Sequence, residues 1–208
     1  MKNKKYGLRR ILIMIGILAI IAIGSFCFIK EKNLQNQADY SYIEAPMLQN
    51  ATNFSHSSRG YSWTANIPNS YKSKSNHEGP GPYIIFNIDE NNPNCNFSIT
   101  APIVEKTKIA SMGFDEAFED YLEKNVEMME ILSGISNFEV TPSKKISIGK
   151  LSGTLFEYKK DNLQHLQFIA KYSEKELIGG FVLECITPSE EKITVYKNEF
   201  FGIINSFR

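Results

Sequence analysis

Alternating apolar and polar positions mark the start of the folded part of the chain. Tyr61, Trp63, Ala65 and Ile67 are separated by polar residues, and Pro68 interrupts the pattern. A period of two is typical of a strand with one buried and one solvated face, so this stretch predicts a first β-strand. The same period predicts two more strands, over 84–88 and 95–103.

The period then changes to that of an α-helix over residues 113–134, where apolar side chains recur three and four positions apart. A second helix is predicted after Thr187, because Thr187 and Glu190 fit a T-x-x-E capping box. Its apolar stripe runs from Ile193 to Phe207. We expect this last helix to cover the apolar face of the sheet, with Trp63 buried beneath it.

Four strand-like runs lie between the two predicted helices, at 138–148, 151–159, 163–172 and 177–187. Their joints are only two to four residues long, which is typical of antiparallel neighbours and predicts a meander. Apolar faces of sheets and helices bury each other. We therefore predict an α+β domain over residues 59–208, with an antiparallel sheet of about six or seven strands packed with two amphipathic helices.

A continuous apolar run over residues 11–29 precedes this domain. Its nineteen uncharged residues, at ~1.5 Å each, come close to the ~30 Å hydrocarbon core of a bilayer. Residues 1–10 carry five basic residues and no acidic one, so the positive-inside rule predicts a cytoplasmic tail and an extracytoplasmic domain. A cleaved signal peptide is the alternative, but its apolar region is usually shorter and ends at a small-x-small site. We predict one uncleaved transmembrane signal anchor in the cell membrane.

Residues 30–58 are polar, rich in Asn, Gln and Ser, and without a sustained period, which predicts a spacer. Basic and acidic residues are equal in number over the whole chain, so the basic tail leaves the remainder net acidic. Nucleic-acid affinity depends on basic residues that neutralise phosphates, and nucleic acid is therefore not an expected partner. The expected partners are the lipid bilayer, through residues 11–29, and an envelope protein or polymer.

The layout of residues 60–208 resembles the PsbP-like superfamily, which includes the extrinsic oxygen-evolving protein and a Ran-binding nuclear import factor. The resemblance rests on the opening SWTANIP strand, the helix after SITAPI, the GKLSGTLFEY hairpin and the final FFGIINSF segment. It implies the fold and a binding role. No catalytic motif accompanies it, and no metal-binding residue of the photosynthetic members has a match here.

Motifs for chemistry are sparse. The histidines, His56, His77 and His165, lack metal-site spacing, and no nucleophile elbow or phosphate loop occurs. We predict no catalytic, cofactor-binding or metal-binding residues. The first predicted helix does carry an acidic set that suits a basic partner or a weakly bound divalent cation, although a solvated helix surface is the simpler interpretation: Glu116, Glu119, Asp120, Glu123, Glu127 and Glu130.

Cys95 and Cys185 both occupy apolar strand positions. Export permits a disulfide, but a bridge needs Cα atoms within ~7 Å, and the pattern gives no sign of that proximity. We predict two buried thiols.

These features predict a membrane-anchored, extracytoplasmic binding or assembly-accessory domain that is not an enzyme. The alternative is an extracytoplasmic hydrolase with a site assembled from distant residues. A hydrolase requires a deep pocket with convergent titratable groups, whereas a binding module requires a flat or grooved polar-aromatic surface.

Overall fold

The computed structural model describes residues 40–74 and 83–208 of the chain. The basic tail, the apolar run 11–29, residues 30–39 of the predicted spacer and the predicted loop 75–82 lie outside the described residues, so what was predicted for them stays a prediction. Within the described part, no helix combines the length and the apolar character needed to cross a bilayer.

The described residues from Ser41 onward form an α+β unit with three α-helices. The helices are α1 (Lys106–Met112), α2 (Phe114–Ser133) and α3 (Glu190–Ser206). The strands are β1 (Ser41–Tyr42), β2 (Ala51–Ser58), β3 (Tyr61–Pro68), β4 (Lys72–Lys74), β5 (Tyr83–Asn87), β6 (Cys95–Thr100), β7 (Phe138–Ile148), β8 (Leu151–Lys160), β9 (Leu163–Tyr172) and β10 (Leu177–Ile186).

Eight of these strands form one sheet in the order β1-β7-β8-β9-β10-β6-β5-β4, and β2 and β3 form a separate hairpin. Among the strands of the described residues, only β1 pairs in parallel, with β7. The meander over β7–β10 is confirmed, with Gly149 at a positive φ in its first turn. The predicted count of six or seven strands is too low, because β1 and β4 are only two and three residues long and too short to show a period.

The predicted spacer is wrong from Ser41 onward, since β1 and β2 belong to the folded unit. β2 pairs with β3 through the two-residue turn Arg59-Gly60, whose residues both have positive φ. β2 gave no clear strand signal because no residue in it is fully buried and most of its residues are Asn, Ser or Thr. Phe54 and His56 are its aromatic contacts to Trp63.

The two predicted helices are present as α2 and α3, but the prediction contains two errors. α1 was missed because it spans seven residues and buries none of them, which leaves no apolar stripe. The last helix begins two residues later than the T-x-x-E motif suggested: Ser189 is the N-cap and its hydroxyl accepts a hydrogen bond from the Lys192 N–H.

The face of the sheet that α3 covers contains the larger core. The Trp63 ring is 1% exposed and stacks on Phe207 with ring centroids 5.4 Å apart, and its Nε1 donates to the Ala101 carbonyl at 3.2 Å. Thr64 also pairs with the main chain of Arg208 in both directions. The predicted burial of Trp63 against the C-terminal segment is therefore confirmed.

The opposite face packs a smaller core against α2. Phe118 and Leu122 of the helix pack with Phe156, Ile169 and Ile178 of the sheet. These contacts cover the part of this face formed by β8, β9 and the start of β10.

The two cysteines correct an expectation: Cys95 and Cys185 form a disulfide, so the prediction of two buried thiols is wrong. β6 and β10 are antiparallel neighbours whose register sets the two cysteines opposite each other, with Cα atoms 3.9 Å apart. Both side chains are fully buried. The sequence pattern gave no sign of this contact, because two helices and three strands separate β6 from β10 along the chain.

Candidate functional site

The predicted acidic residues lie on α2, where the structure separates them into two groups. Glu116, Glu119, Glu123, Glu127 and Glu130 are exposed along the outer side of the helix. Asp120 is half-buried and paired with Lys108 and Lys124. Hydrogen bonds from these two lysines lower the pKa of Asp120. Asp120 thus links α1 to α2 through the Lys108 contact.

The five exposed glutamates form a stripe that is spread along the helix. No group of three or more His, Cys, Asp or Glu side chains within the described residues is arranged to hold a metal ion. Salt bridges of α2 involve acidic residues outside this stripe, such as Asp115, which pairs with Lys171. The geometry therefore matches the solvated helix surface as well as it matches a docking face.

A second surface is formed by the sheet itself, on the side of α2 but beyond its cover. In β6 the buried residues Cys95, Phe97 and Ile99 point toward α3, and the residues between them are half-exposed on the other side. The ladder register aligns these with half-exposed residues of β5, β9 and β10. We name this surface the open face and define it as Ile85, Asn87, Asn96, Ser98, Thr100, Gln167, Val182 and Glu184.

The open face is ordered in rows across the strands. Ile85, Ser98, Val182 and Gln167 are successive cross-strand partners, which gives one row that is apolar at two positions and polar at two. A shallow depression of about 170 Å³ lies along this row and the one beside it. Lys74 closes one side of the depression, where its Nζ donates to Asn96 Oδ1 at 2.6 Å.

One edge of the open face ends in a histidine–carboxylate pair. His165 Nδ1 lies 2.8 Å from Glu184 Oε1, and the Tyr158 ring stacks on the imidazole with centroids 4.3 Å apart. The hydrogen bond from His165 lowers the pKa of Glu184. Burial, and then the charge of Glu184, raise the pKa of the Tyr158 hydroxyl. An ionised Glu184 accepts a hydrogen bond from the Nδ1–H of His165, so the other ring nitrogen, Nε2, points away from the carboxylate.

This pair is the part of the open face closest to a catalytic arrangement. A hydrolase of the histidine type also needs a nucleophile hydrogen-bonded to the base. Among the described residues, the hydrogen bonds of His165 include none from a serine, threonine or cysteine side chain. Within the described residues, the contacts of the His165 ring are to Glu184 and to the Tyr158 ring.

The sequence pattern indicated the orientation of the open-face residues but not their importance. Asn96, Ser98 and Thr100 were correctly assigned to the polar side of a strand. Whether a helix covers that side depends on where α2 ends relative to strands far away in sequence. No local periodicity carries that information, and His165 and Glu184 meet only through the register of β9 and β10.

The chain matches no protein-family model and no curated protein. Among solved structures it is similar to PsbP (CyanoP) from Synechocystis sp. PCC 6803, with 13% identity, a TM-score of 0.48, and coverage of 80% of this chain and 96% of that one. It is also similar to the Ran-binding protein Mog1p from Saccharomyces cerevisiae, with 12% identity, a TM-score of 0.41, and coverage of 76% and 95%. At these identities neither protein assigns a function to this chain.

Proposed function

We propose that this protein is a membrane-anchored, extracytoplasmic binding domain, without catalytic activity, that holds an envelope protein on its open face. The observation that carries the proposal is the half-exposed, mixed polar and apolar surface over β5, β6, β9 and β10. Sheet faces that carry such residues beside a helix-covered core are suited to a partner that completes the layer.

The dimensions of the open face favour a macromolecule over a small ligand. Four strands at ~4.8 Å spacing make a surface about 15 Å wide, and its depression holds only about 170 Å³. Small-molecule sites usually enclose ~300–1,000 Å³. Amide and hydroxyl side chains interleaved with Ile85 and Val182 offer both hydrogen bonds and apolar contact, as protein interfaces do.

Two independent features support the proposed extracytoplasmic location of the domain. The apolar run 11–29 follows a basic tail, which orients a membrane segment with its N-terminus in the cytoplasm. The disulfide between Cys95 and Cys185 forms and persists in an oxidising compartment. A domain exported on a signal anchor encounters that compartment, whereas a cytosolic domain does not.

In-cell crosslinking of the intact anchored protein tests the proposal. We expect Ser98→Arg, which places a long charged side chain at the centre of the open face, to abolish a specific crosslinked partner that the wild type captures. Glu123→Lys is the matched control: it introduces a charge on the exposed stripe of α2, and the partner should be retained. Both variants should melt like the wild type, because both positions lie outside the core.

The opposite outcome would indicate that the partner binds α2. If Glu123→Lys abolished capture and Ser98→Arg left it unchanged, the open face would not be the binding surface. An envelope polymer as the captured species, in place of a protein, would also contradict the proposal as stated.

Protease treatment of intact, wall-stripped cells tests the anchoring. The domain should be digested while a cytoplasmic marker survives, and the undigested domain should sediment with membranes. A protected domain, or a soluble form that begins near residue 28, would contradict the signal anchor.

A further inference from the structure

A cleft at the start of β3 combines cationic, main-chain and apolar groups. Three segments of chain meet there: the β2–β3 turn, the first turn of α1 and the turn before β10. The cavity has a volume of about 520 Å³. The lining residues that matter here are Tyr61, Ser62, Lys106, Ile109, Lys175 and Glu176.

Two lysines are anchored at the edge of β3 that faces away from β2. Lys106 Nζ donates to the Gly60 carbonyl at 3.3 Å and lies 4.5 Å above the centre of the Tyr61 ring. Lys175 Nζ donates to the Ser62 carbonyl at 3.1 Å. An ammonium group has three donors, so these bonds orient each lysine and leave donors for a ligand.

The strand places a main-chain donor between the two ammonium groups. Thr64 N–H and C=O both bond to Arg208, which defines the edge of β3 that faces away from β2. The alternation of a strand directs the Ser62 N–H to the same edge. In chain order it lies between the two carbonyls that hold the lysines, those of Gly60 and Ser62.

The other walls of the cleft favour a ligand that has an apolar part and a negative charge. The Tyr61 ring and Ile109 are apolar, and two cations face one carboxylate, Glu176. Burial, and then Glu176, raise the pKa of Tyr61, so its hydroxyl stays neutral and does not oppose an anion. Arg59 at the rim pairs with Glu105.

We infer that this cleft binds an organic phosphate, whose oxyanion bridges Lys106, the Ser62 N–H and Lys175 while its apolar body lies on Tyr61 and Ile109. Three donors around one position suit a tetrahedral oxyanion with three free oxygens better than a planar carboxylate with two. Lysine binds phosphate as a point charge and needs no bidentate fork.

Titration of the full-length protein in zwitterionic nanodiscs with phenyl phosphate tests this assignment, with the amide of ¹⁵N-serine at Ser62 as the reporter. We expect a saturable shift of that amide. Lys106→Met and Lys175→Met should each weaken binding roughly tenfold or more, since each removes a charge-assisted hydrogen bond. Glu176→Gln should tighten binding, and Lys144→Met, an exposed lysine of β7, should leave it unchanged.

Nanodiscs that contain phosphatidylglycerol distinguish the sources of phosphate. Competition with phenyl phosphate would identify a lipid headgroup, and its absence would identify a soluble organic phosphate; both support the site. The inference is overturned if Ser62 does not respond at about 10 mM phenyl phosphate, well above a weak Kd of ~1 mM. It is also overturned if benzoate binds more tightly, or if the two cleft variants behave like Lys144→Met.

Discussion

Removal of the Cys95–Cys185 disulfide gives the sharpest test of the fold. The bridge joins residues 90 positions apart, so it restricts the unfolded chain over almost half of the sequence. In the chain-entropy treatment a loop of that length corresponds to about 4–5 kcal/mol of stability at 25 °C. The total stability of a domain of this size is ~5–15 kcal/mol, so we expect Cys95→Ala to remove a large share of it.

A double-mutant cycle separates the cross-link from the loss of packing. Cys95→Ala and Cys185→Ala should each cost about as much as the bridge is worth. Because the bridge is already absent in either single variant, the second substitution should add only about 1 kcal/mol for a deleted buried group. Urea denaturation gives the free energy of unfolding of the wild type, the single variants and the double variant, and it is done with and without reductant.

Two results would refute this reasoning. Additive effects of the two substitutions, with no response of the wild type to reductant, would mean that no bridge constrains the chain. Thiol counting gives the second test, since the chain has three cysteines. Denatured but unreduced protein should expose one reactive thiol, that of Cys27, and a count of three would contradict the disulfide.

Two further predictions concern side chains buried against the C-terminal segment. Trp63→Ala should lower the free energy of unfolding by ~3–5 kcal/mol, because it empties a fully buried site beneath Phe207. Trp63→Phe should lower it by less. An unchanged melting temperature in Trp63→Ala would show that this ring lies outside the core. Hydrogen bonds from Lys192 and Tyr196 lower the pKa of Asp89 in the folded protein. The stability that the ionised Asp89 contributes is therefore present above its unfolded pKa of ~3.9, and it is lost as the pH falls through the lower pKa of the folded state. The advantage of the wild type over Asp89→Asn in urea denaturation should therefore shrink as pH falls below about 4, and a difference that is constant from pH 7 to 2 would contradict this assignment.

The sequence was sufficient to predict those helices and strands whose two faces differ clearly in polarity. β3, β6 and the meander were recognised because buried and solvated residues alternate in them, and α2 and α3 because each carries an apolar stripe. β2 was missed because the side that meets Trp63 consists of Phe54 and His56 among serines and asparagines, and α1 because it buries nothing.

Long-range pairing is what the pattern could not supply. The disulfide depends on the register of β6 with β10, and the open face depends on which strands α2 leaves uncovered. The same holds for the phosphate cleft, where Lys106 and Lys175 reach the edge of β3 from segments far away in the chain. In each case the residue types were visible in the sequence, and their meeting was set by tertiary structure alone.

Position-specific photocrosslinking in living cells tests the central claim most directly. A photoreactive phenylalanine derivative replaces Ser98 in the open face or, separately, Glu127 in the exposed stripe of α2, with the anchor intact. The proposed function predicts a discrete protein adduct from position 98 and none from position 127, in the membrane fraction. An adduct from position 127 alone, or the same adducts from both positions, would contradict binding through the open face.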